Sequence, residues 1–187
     1  MRIKDKFFLD AGNSVLVVID VQEKLCRAMD EKVLKHLVAN AGILMDAAAE
    51  LQIPTIVTEQ YVKGLGETIP ELKGRAVSPA VEKMAFSCCG DSAFMEKIKN
   101  LGRQQVMVVG MECHVCVLQT VIELLDAGFN VHLVRDAVMS RRKDNWFVGL
   151  ETARDAGAVI TSTEAALFQL LKVAGTDAFK KLSKLVR

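Results

Sequence analysis

Histidine is scarce in this chain, three in 187 residues, and aromatic residues make up only 5%. The three, His36, His114 and His132, form no H-x₃₋₅-H pair, which removes the commonest framework for a zinc site. Charge of one sign is missing too. Against 24 Lys plus Arg stand 23 Asp plus Glu, a formal net charge of +1. Without a basic block the chain has no electrostatic footprint for nucleic acid or an anionic membrane, so neither is expected as a partner. No apolar run approaches the ~20 residues of a bilayer span. The segment MRIKDKFFLDAGNS lacks a signal-peptide core and arginine-rich transit character, and the expected location is cytoplasmic. No internal repeat, low-complexity stretch or linker rich in Pro, Gly and Ser divides the chain, so residues 1–187 read as a single domain.

What is present is aliphatic. Fifty-one per cent apolar content with 25% charged residues is a globular composition, sufficient for a sizeable core. Five cysteines, Cys26, Cys88, Cys89, Cys113 and Cys116, make an odd count in a chain too large to need disulfide staples, which fits a reducing compartment. Cys113 and Cys116 form a C-x-x-C, yet zinc needs two further ligands at comparable spacing. No metal and no cofactor are expected.

Strand and helix patterns alternate along the chain. Ser14–Asp20 is a continuous β-branched run suited to a strand buried on both faces. Glu31–Leu51 has helical apolar spacing, Pro54–Gln60 is a second strand, and the Gly-punctuated stretch from Tyr61 to Gly74 predicts a loop without helix. Ala80–Phe86 predicts a short strand, Asp91–Leu101 a helix, Gln104–Gly110 a strand, and Val115–Ala127 a helix closed by Gly128. Asn130–Arg135 and Ala158–Thr161 read as strands; Asn145–Asp155, Thr163–Leu171 and Thr176–Leu185 read as helices. Such alternation predicts an α/β fold, a parallel sheet covered by helices on both faces.

In such sheets ligands bind beyond the carboxyl ends of the strands. The expected ends carry Asp20, Thr58-Glu59-Gln60, Lys83, Gly110-Met111-Glu112 and Asp136. Asp20 after five aliphatics could equally be a turn residue, Lys83 a solvated lysine beside Glu82, and Cys116 a buried structural thiol. Placed together, they form a hydrolytic set. The aspartate takes a thiol proton, the lysine favours charged forms of both neighbours, and the thiolate attacks a carbonyl. At a helix start, unpaired N–H groups would favour the thiolate and receive the oxyanion. Cys113 competes as nucleophile.

Five segments resemble the isochorismatase-like cysteine hydrolases: Val15–Gln22, Val57–Tyr61, Glu82–Cys89, Val108–Arg141 and Gly157–Leu171. They follow the family's order over nearly the whole chain. The likeness is greatest to isochorismatase-domain proteins with T-E-Q and G-M-E-x-H-V-C-V forms. The resemblance implies a Rossmann-like three-layer α/β/α sandwich with a six-stranded parallel sheet and an Asp-Lys-Cys triad at Asp20, Lys83 and Cys116. It places the nucleophile before Val117, favouring Cys116 over Cys113. It also implies a cis peptide at Met111–Glu112, with the backbone N–H groups of Glu112 and Cys116 as oxyanion hole. Gln22, Gln60, Tyr61, Phe86 and His114 are candidates to line the pocket.

One departure is informative. Nicotinamidases of the family bind a metal through an aspartate and two histidines near the second strand's end. Here that region, TEQYVKGLGETIPEL, has no histidine. The expected function is hydrolysis of a small amide, carbamoyl or related substrate through a covalent thioester-type intermediate, by a homo-oligomer of at least two subunits. The alternatives are a catalytically silent oligomeric scaffold of the same fold and a thiol redox protein using Cys113 and Cys116.

Overall fold

The computed structural model describes residues 2–186. In chain order they form α1 (Ile3–Phe7), β1 (Ser14–Ile19), α2 (Glu23–Arg27), α3 (Glu31–Glu50), β2 (Thr55–Gln60), α4 (Val62–Leu65), α5 (Pro70–Lys73), β3 (Val81–Lys83), α6 (Ser92–Asn100), β4 (Gln105–Met111), α7 (Leu118–Asp126), β5 (Asn130–Met139), α8 (Lys143–Asp155), β6 (Val159–Thr161), α9 (Thr163–Leu171) and α10 (Asp177–Leu182). The six strands are all parallel, in the order β3-β2-β1-β4-β5-β6. The chain winds outward from β1 to β3, returns to place β4 beside β1, and then winds the other way. The reversal falls between β1 and β4, where diverging loops open a crevice above the carboxyl ends.

Successive β1 residues feed opposite layers. Leu16 and Val18 join a core with Leu37, Leu44 and Met45 of α3 and Leu170 of α9. Val15, Val17 and Ile19 join another with Phe94 and Ile98 of α6, Val121 and Leu124 of α7, and Leu150 of α8. A strand covered on both faces must be apolar throughout, which explains why these residues show no alternation. All five are withdrawn from water, and each such burial is worth about 1.5–3 kcal/mol. Side-chain caps fix the helix starts: Asp30 accepts from the Val33 N–H at 3.0 Å, and Asp91 from those of Ala93 and Phe94 at 2.9 and 3.2 Å.

Four sequence expectations need correction. Tyr61–Gly74 is not a helix-free loop but holds the short helices α4 and α5. The helices α1 and α2 were not expected; α1 is pinned by tertiary contacts, with Asn130 Nδ2 donating to the carbonyls of Asp5 and Lys6 at 3.1 and 2.9 Å. β5 runs on to Met139, so Asp136 lies within it rather than at its end. Its register against β4 shifts between Val108 and Gly110, and Asp136 accepts from the Thr163 N–H at the start of α9 at 2.8 Å. Finally, the helix expected from Val115 begins as a π-helical turn over Cys113–Val117 and becomes α7 only at Leu118.

Candidate functional site

Each candidate residue sits where a strand releases the chain. Asp20 follows β1 with φ of 51°, in the left-handed region that aspartate tolerates better than most residues. Its neighbour Gly110 on β4 has φ of 121°, and a Cβ there would overlap the Ile19 carbonyl. Close approach of β4 to the end of β1 therefore requires glycine at this position. Asp20 Oδ1 accepts from the Thr58 hydroxyl at 2.7 Å, and Oδ2 accepts from Lys83 Nζ at 2.7 Å. Both side chains of this ion pair are 0% exposed. Lys83, at the end of β3, gives its remaining protons to the carbonyls of Ala85 and Phe86 at 3.2 and 2.9 Å. All three ammonium donors are thus committed, which fixes the charge in place.

Cys116 lies in the π-helical turn after β4 and is 4% exposed. Its thiol donates to Gln60 Oε1 at 3.1 Å. Burial pushes the thiol pKa above the usual range, the charge of Asp20 pushes it the same way, and Lys83 pulls against both. The expected standing thiolate at a helix start is therefore not what this environment favours. Desolvation leads and the Asp20 carboxylate adds to it, so the resting thiol keeps its proton. Thr120 supports the turn: its hydroxyl donates to the Cys116 carbonyl at 2.6 Å and accepts from the Cys88 N–H at 2.9 Å.

A pocket of about 400 Å³ opens onto Cys116, bounded by Gln60, Tyr61, Phe86, Glu112 and the apolar side chains of Leu25, Leu65, Met84 and Val115. This is within the usual size for a small-ligand site. Larger concavities of about 760 and 720 Å³ lie against α1 and α9 and between α3 and α8, and neither contains the thiol or the ion pair. Of the five candidate pocket residues, three (Gln60, Tyr61 and Phe86) line the site. Gln22 does not. It is wholly buried and clamps the main chain of Gln60, accepting from its N–H at 2.7 Å and donating to its carbonyl at 2.9 Å and to that of Gly66 at 2.6 Å. His114 is also turned elsewhere, bonded through Nδ1 to Ser140 Oγ at 2.9 Å and through Nε2 to Asn145 Nδ2 at 3.2 Å.

Glu112 borders the pocket, and its carboxylate is held by the Arg141 N–H at 2.9 Å and Arg141 Nε at 3.1 Å. The Met111–Glu112 peptide is cis. Cys113 does not line this pocket: its thiol meets the Trp146 carbonyl at 3.6 Å, and a Cβ on Gly149 would lie 2.9 Å from it. Burial raises its pKa to about 12, as burial also raises that of Cys116, and all five cysteines are free thiols. Among the described residues no group of three or more His, Cys, Asp or Glu could hold a metal ion, and no helix is long and apolar enough to cross a membrane. The sequence placed Thr58 and Glu112 at strand ends; what it missed is the bond from the Thr58 hydroxyl to Asp20, the role of Thr120 and the hold of Arg141 on the Glu112 carboxylate. Alternation along β2, which puts Thr58 on the same face as Gln60, was the one available signal.

Comparison with known proteins agrees with this architecture. The Isochorismatase domain model matches residues 14–165. A secreted isochorismatase effector, Isc1, of Phytophthora sojae is 41% identical over 94% of this chain and 85% of its own. Isochorismatase domain-containing protein 2 of Danio rerio is 37% identical over 95% of this chain and 89% of its own. A solved structure described as the MAR1 ribonuclease of Caenorhabditis elegans superposes with a TM-score of 0.89 at 40% identity, covering 96% of this chain and 92% of that one. With a family model spanning most of its length and relatives this similar, the chain belongs to the isochorismatase family.

Proposed function

We propose that this isochorismatase-family hydrolase cleaves a small amide, carbamoyl or related carbonyl substrate through Asp20, Lys83 and Cys116. One observation carries the reading: a wholly buried ion pair, 2.7 Å long, beside the thiol of Cys116, which lines a pocket at the sheet's switch point. Withdrawing both charges from water is costly, and such pairs concentrate where chemistry uses them.

On this reading the thiol proton passes to Asp20 as sulfur bonds to the substrate carbon. Lys83 stabilises negative charge on whichever partner bears it. The backbone N–H groups of Glu112 and Cys116 receive the developing oxyanion. Collapse expels the leaving group, which takes the proton from Asp20. Water then attacks the thioester with Asp20 as base, releasing the acid and the thiol. A homo-oligomer is the working form.

Small amides and carbamoyl compounds offered to wild type and Cys116→Ala provide the test, with single-stranded RNA in parallel because of the C. elegans neighbour's description. Turnover of a small substrate by wild type alone is expected. RNA cleavage shared by wild type and Cys116→Ala would replace this reading with a nuclease whose chemistry lies elsewhere.

A further inference from the structure

The thiol of Cys116 has one acceptor in the pocket, Oε1 of Gln60, at 3.1 Å. Gln60 cannot easily withdraw. Its main chain is held at both ends by the buried amide of Gln22, which also grips Gly66, so only the side chain is free to adjust. Its Nε2 rests against the Met84 carbonyl at a long 3.4 Å, an orientation that turns the oxygen toward sulfur. The residue is 8% exposed and what opening it has faces the pocket, so once a substrate fills the pocket water no longer replaces a lost partner.

The consequence appears when sulfur reacts. Once the thiol proton has moved to Asp20, sulfur no longer donates, and Oε1 is a buried acceptor beside developing negative charge. A buried acceptor without a donor is costly, and the remedy must come from the substrate. From these contacts we propose that Gln60 is a specificity residue that selects substrates whose reacting carbon bears an N–H, as in a carboxamide or carbamoyl group, over esters and vinyl ethers. The inference rests on the cysteine-hydrolase reading and deepens it. The substrate N–H takes the place of the S–H on Oε1 as the S–C bond forms. For a primary amide the C–N bond then breaks, the departing nitrogen takes the Asp20 proton and leaves as ammonia, and water completes hydrolysis to the carboxylic acid and the thiol. Sites built around such a hydrogen bond reject analogues that lack it, because their own polar group is left unpaired.

Phenyl carbamate and phenyl acetate test this directly. They share a leaving group and differ by NH₂ in place of CH₃ on the reacting carbon. Phenol release by the enzyme is measured for each and divided by the rate with free N-acetylcysteine. The corrected carbamate-to-acetate ratio is expected to be at least about tenfold in wild type, the value of one buried hydrogen bond. It should fall to near unity in Gln60→Met, or in Gln60→Ala if the larger replacement does not fold, and persist in Gln60→Glu, which keeps an acceptor. A wild-type ratio near unity, or one unchanged in Gln60→Met, overturns the inference while leaving the nucleophile in place. Phenol release that is the same in wild type and Cys116→Ala overturns the underlying reading instead.

Discussion

At the scale of single residues, the decisive fact is that Asp20 and Lys83 act on the same thiol in opposite directions. Replacing Asp20 by Asn removes a negative neighbour and should lower the Cys116 pKa, whereas Lys83→Met removes a positive one and should raise it further. Turnover should fall in both, by ~10²–10⁴ for loss of the base. Titration of Cys116 alkylation against pH, read by peptide mass mapping, checks the two signs; shifts in the same direction would dissolve the triad. Burial gives both substitutions a cost in folding as well. With neither side chain exposed, removing one partner strands a charge and costs about 3–5 kcal/mol. The double variant Asp20→Asn/Lys83→Met should recover most of that stability in urea unfolding, yet recover no turnover. That separation distinguishes a pair kept for chemistry from one kept for packing. The sequence revealed these three residues because strand ends, once placed, put them on one edge of the sheet. It could not reveal the thiol's resting protonation, which depends on desolvation by residues far apart in the chain.

At the scale of elements, legibility followed hydrophobic periodicity. The buried strands β1, β2 and β4 and the long helix α3 announce themselves by their apolar runs and spacing. α1 and α2 do not, because five residues cannot express a period, and α1 owes its place to Asn130 and to Gln105, which donates to the Phe8 carbonyl at 2.7 Å. The course of β5 was truncated because Arg135 and Asp136, both exposed, look like the end of a strand when they mark a shift of register within it. The same strand carries a testable electrostatic consequence. His132 is wholly buried, and its Nδ1 has no partner among the described residues. Burial lowers its pKa from 6.5 to about 4, against a smaller opposing pull from the Lys6 backbone. A base depressed in the folded state stabilises the fold above its unfolded pKa, and that stability is lost as pH falls from 6.5 toward 4. The loss amounts to roughly 3 kcal/mol. Urea unfolding across this window should show a steeper decline in wild type than in His132→Leu; identical slopes would remove His132 from the acid sensitivity of the fold.

For the whole molecule, several large apolar side chains stay outside the buried clusters. Phe147 and Val148 on α8 are 53% and 54% exposed, and Val33 on α3 is 48% exposed. Between these helices lies the concavity of about 720 Å³, walled by Leu37, Val138, Met139 and Trp146 and rimmed by Arg135 and Lys143. Arg135 covers the indole at 5.8 Å, so the apolar floor is partly screened by a cation rather than left bare. Apolar surface of this kind, rimmed by charge, is what an association face offers. A two-fold arrangement would set α8 of one subunit against the same surface of its partner and bury Phe147 twice. Arg141, which holds the Glu112 carboxylate, lines this concavity, so assembly would border the pocket without entering it. Light scattering at micromolar concentration should therefore give at least twice the 20.5 kDa of one chain. The variant Phe147→Lys/Val148→Lys sets like charges against each other across the two-fold and should shift the mass to that of a monomer. Trp146 is the only tryptophan and directly precedes Phe147, so its emission should move to longer wavelength as the face is wetted. A wild type that scatters as a monomer would leave these side chains as ordinary surface, and a variant that stays assembled would place the interface on another face.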